Sequence, residues 1–505
     1  YSKRRTGENF LMTMVEKLFA NMDDNFKEEL EIESNIILNS TMIINILKPI
    51  GTNDILQTMY KEELNHTNII NKYRENLTQH FMTNIYENLT ISFEHIFVLV
   101  LYLFPKDVID KNHFKRLLYL VIKDMKKSNL FFTDEFNDSF LDLISYEKFK
   151  LFDDVLAVAI QDDIIIDNED SYIINKGNLT NNYTHDTIRL KNILGVVLNE
   201  VLLIQELISI SECYIELETT FLNDILYTYL KDEEINEFEY DYKKYWHQKG
   251  IKSKEIGMPY FLEANSDICV IALHGFSSAP KEVEKIAKYL HLYDLNVYAP
   301  RLKGHGTVPE DLKDITYHDW YDSVSRAITI ATLKYKGIYL LGFSTGGLLA
   351  ILSAKKKDFK FEGLICINTA LNLNDIRVKT LIPAVSFWND LVHSFNANEY
   401  AKEYITNKAQ NPDINYDKHY IDAITQLSML MDKTKKSLKH INTSTYIIQS
   451  NNDPVVNASS AYEIFDAIEN ENKQIEIIES NSHVIITEDN EKLFKNIKDF
   501  IIKKK

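Results

Sequence analysis

Six short runs rich in β-branched residues, at 268–273, 296–299, 337–341, 364–367, 444–449 and 474–478, alternate with helix-like stretches at 281–292, 318–333, 348–356, 458–468 and 491–502. Consecutive parallel strands need a long crossover, which a helix supplies, so this alternation predicts an α/β domain over 258–505. Its sheet should be doubly wound and mostly parallel, with helices on both faces. The stretch 371–438 breaks the rhythm with helical patterns and no strand, and reads as a helical cap inserted above the sheet.

The first half follows another grammar. From about residue 7 to 240 the pattern is helix after helix with almost no glycine, and stretches such as 9–21 and 26–47 place apolar residues at three and four spacing. Runs at 162–166 and 171–174, separated by Asn168-Glu169-Asp170, read as two strands of a hairpin, giving a small winged unit among the helices. The expected organisation is therefore a mostly helical domain over 1–240, a polar linker over 241–257, and the α/β domain.

Composition bounds the function classes. The 505 residues favour two or three domains, and 45% hydrophobic with 26% charged residues is ordinary globular usage. A net charge of −18 argues against nonspecific nucleic-acid binding, and the winged unit lacks a basic recognition helix. Cys213, Cys269 and Cys366 form neither a disulfide framework nor a zinc spacing. The apolar run 96–104 is far shorter than the roughly 20 residues that cross a bilayer, and reads as a buried helix. A first residue of Tyr1 rather than Met leads us to expect a longer parent chain, so that any targeting segment would lie outside this sequence. A cytoplasmic location is expected, with peripheral membrane contact as its variant.

The chemistry concentrates at the strand ends. Gly342-Phe343-Ser344-Thr345-Gly346-Gly347 follows the run 337–341 and leads into an apolar helical stretch, the strand–turn–helix context of a nucleophile elbow. A serine nucleophile needs a base to take its proton and a carboxylate to orient that base. Asp453 lies just past the run 444–449 and His483 just past 474–478, in the chain order Ser, Asp, His that such a sheet requires. Taken singly, Asp453 could be a turn former before Pro454, and His483 a surface or capping residue; the ordered combination favours a triad. Acyl transfer also needs donors for the oxyanion, here the backbone N–H groups of Thr345 and of Phe276, the latter beside Gly275 in the loop after the run 268–273.

These blocks resemble the serine carboxylesterase and monoacylglycerol lipase branch of the α/β hydrolases. The resemblance rests on Leu273-His274-Gly275-Phe276, Lys303-Gly304-His305-Gly306, Asp319-Trp320, the elbow, Asp453-Pro454-Val455-Val456 and Ser482-His483-Val484-Ile485, and spans roughly 260–502. It implies Ser344 as nucleophile, His483 as general base and acid, Asp453 as its carboxylate, and Phe276 and Thr345 as oxyanion donors, with no metal or organic cofactor. His305 is expected near the site as a loop-stabilising residue. Ile382, Val385, Phe387, Trp388, Leu391, Val392 and Phe395 fit either an acyl-chain pocket or a plain cap core.

A fainter likeness concerns the other half. Ser2-Lys3-Arg4-Arg5-Thr6-Gly7 is similar to the phosphate-holding segment of glycerolipid acyltransferases, and the stretch 188–194 to their later helical region. The H-x-x-x-x-D pair such enzymes use does not occur within 1–240. The leading expectation is a hydrolase of short or medium acyl esters or monoacylglycerol acting through an acyl-enzyme. The alternatives are a bifunctional acyltransferase–hydrolase truncated at its N-terminus, or a hydrolase localised by a helical module that binds a membrane surface or a partner of unknown identity.

Overall fold

The structure, a computed structural model, describes residues 45–46, 66–137, 139–145, 147–181, 183, 191–355, 359–374 and 403–502. The expected helices at 9–21 and 26–47, the segment Ser2 to Gly7, residues 188–190 and the apolar cap residues from Ile382 to Phe395 all lie outside those described, Asn45 and Ile46 apart. The chain divides into two compact units, Tyr1–Leu222 and Asn223–Lys505.

In the first unit the apolar run 96–104 falls in the helix Phe93–Leu103, whose residues from Ile96 to Leu101 are fully buried. It packs against helices Lys111–Met125 and Ile193–Val201. Phe97 stacks edge-on to Phe114 at 5.1 Å between ring centroids, and Phe152 lies 5.7 Å from Phe97. The predicted hairpin forms between Ile165–Asp167 and Ser171–Ile174. It gains a strand unforeseen in the sequence, Val108–Asp110, antiparallel to the second of these. At three residues, that strand is too short to show a period of its own. No single helix among the described residues is long and apolar enough to cross a membrane.

The division between the units falls inside one long helix, α1 (Thr219–Tyr245), ahead of the expected linker at 241–257. Acidic residues on α1 explain why the boundary comes early. Glu234, Glu237 and Asp241, three and four apart and so on one face, meet Arg301, Lys303 and Arg326. In sequence those carboxylates look like a polar linker, because the cations that neutralise them come some 60 residues or more later.

The second unit is built on a seven-stranded sheet. Its strands are β1 (Tyr260–Leu262), β2 (Ile268–Leu273), β3 (Asn296–Ala299), β4 (Gly337–Phe343), β5 (Gly363–Ile367), then β8 (Thr445–Ser450) and β9 (Lys473–Ile478) after an intervening hairpin. That hairpin is β6 (Tyr404–Thr406) with β7 (Lys418–Tyr420). The sheet order is β9-β8-β5-β4-β2-β3-β1, parallel throughout except for β1, which runs antiparallel to β3 at the edge. The predicted alternation is thus the observed one, with β1 added.

Helices α2 (Glu284–His291), α3 (Tyr317–Lys334), α4 (Thr345–Ala354), α5 (Ile421–Ser437), α6 (Ser459–Ala467) and α7 (Glu491–Ile502) complete the layers. Every residue of β4 is buried, as a central strand covered on both faces requires. The interval 371–438, expected to hold no strand, contains the β6–β7 pair, whose strands are three residues each. Helix α5, from the same interval, buries Ala423, Ile424, Leu427, Leu430 and Met431 and packs against α4, behind the elbow.

Candidate active site

The elbow is strained as its sequence demands. Ser344 sits between β4 and α4 with φ 53° and ψ −116°, a region that side chains with a Cβ rarely occupy. The turn is tight enough that a Cβ on Gly342 would lie 2.3 Å from the carbonyl oxygen of Gly346, and one on Gly346 would lie 2.3 Å from that of Leu273. Both distances are far inside contact range, so both positions require glycine.

Asp453 and His483 arrive from the ends of β8 and β9 and complete a chain of hydrogen bonds. His483 Nε2 lies 3.1 Å from Ser344 Oγ, and His483 Nδ1 lies 2.7 Å from Asp453 Oδ2. An ionised carboxylate only accepts, so Nδ1 carries the ring proton and Nε2 presents its lone pair to the serine hydroxyl. The other oxygen of Asp453 accepts the N–H groups of Val455 at 2.8 Å and Val456 at 2.9 Å, which fixes the carboxylate plane. All three side chains belong to residues less than a tenth exposed. Asn368, at the end of β5, ties the two loops together: its amide donates to the carbonyl of His483 at 2.7 Å, and its oxygen accepts the N–H of Ser450 at 2.8 Å.

Opposite the serine is the loop after β2. The Cα of Gly275 approaches Ser344 so closely that an added Cβ would lie 3.3 Å from the serine Cβ. Phe276 follows directly, and Thr345 is the first residue of α4, where a backbone N–H has no acceptor one turn back. His274 anchors this loop from below. Its Nδ1–H donates to the Gly275 carbonyl at 2.9 Å and its Nε2 accepts the Leu302 N–H at 3.2 Å, while burial pushes its pKa down to about 4, so the ring is neutral. His305 is fully buried, with Nδ1 3.0 Å from the Lys303 carbonyl and its own carbonyl accepting from Arg301 at 2.6 Å. It meets Phe276 and Trp320 edge to face, a loop-stabilising place like the one expected from the sequence.

Three residues that brace the surrounding loops have no counterpart in the sequence reading. Gln410 accepts the His483 N–H at 3.0 Å, and the Tyr416 N–H donates to the Ser277 carbonyl at 2.8 Å. Glu282, expected on an ordinary helix over 281–292, instead lies in the tight turn Pro280–Val283 and points inward, 2% exposed. Pro280 was the available signal, since it starts a turn and so displaces the helix that follows.

With this geometry in place, the comparisons identify the family. A family model described as hydrolase 4, serine aminopeptidase S33, matches residues 264–490. The thermostable monoacylglycerol lipase of Bacillus sp. strain H-257 is 30% identical over 229 residues, 45% of this chain and 86% of that protein. The chain belongs to the carboxylesterase and monoacylglycerol lipase branch of the α/β hydrolases. Its second unit is accordingly a carboxylic-ester hydrolase. The carboxylesterase of Bacillus subtilis strain 168 is 22% identical over 45% of this chain and 88% of its own length, and human monoglyceride lipase 22% over 49% and 80%. Each of these likenesses covers only about half of this chain.

Proposed function

We propose that this hydrolase cleaves short or medium acyl esters or monoacylglycerols through a covalent acyl-enzyme. The hydrogen-bond chain from Asp453 through His483 to Ser344 is the observation that carries the reading. Ser344 Oγ attacks the ester carbonyl carbon as its proton passes to His483 Nε2, and the carbonyl π pair moves onto oxygen. The N–H groups of Phe276 and Thr345 then stabilise that oxyanion. As the tetrahedral species collapses, the C–O bond to the alcohol breaks and the imidazolium returns its proton to the leaving oxygen. Water repeats the sequence on the acyl-enzyme, releasing the carboxylic acid and restoring the serine hydroxyl.

Asp453→Asn supplies the test of this division of labour. The amide oxygen keeps the two backbone N–H groups of Val455 and Val456, so the amide nitrogen faces His483 Nδ1 and donates to it, which moves the ring proton to Nε2 and removes the base; kcat for p-nitrophenyl butyrate should fall by about 10⁴. Unchanged turnover would remove Asp453 from the mechanism. A panel of p-nitrophenyl esters and monoacylglycerols of increasing chain length then defines the acyl preference, and equal inertness to all of them would refute the substrate class. For the first unit we retain the reading of a helical module that localises the enzyme. Liposome flotation and pull-down of the whole chain should show an associated membrane or protein, and their joint failure would count against it.

A further inference from the structure

We propose that Glu282 is a positioning residue for this reaction, which holds the oxyanion loop through Gly275 and places a second negative charge near His483. The inference rests on the ester-hydrolase reading above. Glu282 Oε2 accepts the Gly275 N–H at 2.8 Å, and the peptide unit that follows Gly275 carries the N–H of Phe276. Fixing one N–H of this loop therefore fixes the direction of the next, the one aimed at the oxyanion. The carboxylate Oε1 lies 3.5 Å from Asn415 Nδ2, so the segment leading into β7 braces it from the other side. A Cβ on Gly275 would meet both Glu282 Oε2 and Ser344 Cβ at 3.3 Å, which places the carboxylate and the nucleophile on either side of one glycine.

A buried carboxylate has a cost that a purely structural residue would avoid. Burial pushes the Glu282 carboxyl above its ordinary value, against the pull of hydrogen bonds from the Gly275 N–H and Asn415. Glutamine would fill the same space and still accept one hydrogen bond without that cost. What glutamine cannot supply is a charge to favour the imidazolium that forms as Ser344 attacks.

Titratable neighbours come from several elements. His483 comes from the loop after β9 and meets Ser344, which shares the Gly275 contact with Glu282, and Asp453 lies behind it. His274, neutral, lies in the loop that Glu282 holds. Lys281 and Lys288 both pair with Glu284 on the chain just beside it, and Lys254, from the turn packed against Pro280–Val283, pairs with Glu239.

The test compares wild-type enzyme and Glu282→Gln with p-nitrophenyl butyrate across pH. The variant should lose roughly tenfold in kcat with KM unchanged, less than the about 10²–10³ that losing an oxyanion donor costs. The acid limb of its kcat/KM profile should move to lower pH, because the variant lacks a carboxylate beside Gly275 and Ser344 that favours the imidazolium formed during attack. Its Tm should match or exceed that of wild type. Since the folded-state value of Glu282 is raised, wild type loses stability as pH rises through it, so the Tm gap should widen toward alkaline pH. A variant with wild-type kcat and pH profile overturns the inference while ester hydrolysis stands. A lower Tm with an unmoved acid limb marks a merely structural side chain and overturns it as well. A wild-type enzyme inert toward every ester, with no fluorophosphonate label on Ser344, overturns the ester-hydrolase reading and the inference together.

Discussion

Ser344→Ala should reduce kcat for p-nitrophenyl esters by on the order of 10⁵ to 10⁶, leaving a residue of catalysis from the oxyanion donors and substrate binding. The size of the loss follows from the geometry. Without the hydroxyl, His483 Nε2 has no proton to take at 3.1 Å, and the attack that splits the reaction into two easier steps disappears. The same change should abolish labelling by a fluorophosphonate, which reports the nucleophile without reference to any substrate. Folding should be untouched, because the buried Oγ is replaced by a hydrogen and the strained backbone still carries a Cβ. Near wild-type turnover in a correctly folded Ser344→Ala would sink the assignment of the nucleophile.

Arg301→Met should destabilise the second unit by about 3–5 kcal/mol, the range for breaking a buried ion pair from one side. For a unit of this size that corresponds to roughly 6–20 °C in Tm. Arg301, 6% exposed, donates to Asp241 at 2.7 Å, to Asp311 at 3.0 Å and to the His305 carbonyl at 2.6 Å. Burial works against both carboxylates. At Asp241 the cations Arg301 and Lys303 outweigh it and hold the carboxyl below its ordinary value; at Asp311 burial wins and raises it.

Losing the guanidinium strands Asp311 with only the Thr307 hydroxyl at 2.6 Å, while Asp241 keeps Lys303 at 2.9 Å. Because Asp241 titrates below its ordinary value in the fold, its contribution is present above the usual carboxylate range and fades as pH falls through the lowered value. The deficit of Arg301→Met should therefore be largest near neutral pH and shrink in acid. A Tm within about 2 °C of wild type at pH 7 would mean that the network contributes little and that the early unit boundary has another cause.

Legibility in the sequence followed the range of the interactions concerned. The strands β2, β3, β4, β5, β8 and β9 could be read because each is a short run rich in β-branched or apolar residues bounded by turns, a signal contained in five or so neighbours. That Ser344, Asp453 and His483 would meet could be read because strand ends in this topology come together at one sheet edge, so chain order stands in for position. Edge strand β1 and hairpin strands β6 and β7 could not, since at three residues each they have no period. Glu282 fell inside a stretch expected to be helical, 281–292, and the turn at Pro280 carries it inward. Gln410 gave no sign at all, for its partner is 73 residues away.

The sequence by itself determined the doubly wound sheet, the elbow with its obligatory glycines, and the chain order in which Ser344, Asp453 and His483 reach the strand ends. These depend on local sterics and on hydrophobic pattern, which a chain carries from end to end. Tertiary structure alone decided that Gln410 and Tyr416, from the segment before β7, brace the catalytic loops. It also decided that Glu282 turns inward to the Gly275 N–H and that the chain divides within α1. Those outcomes depend on charges and amides meeting across tens of residues, where only the folded backbone sets the distance at which they act.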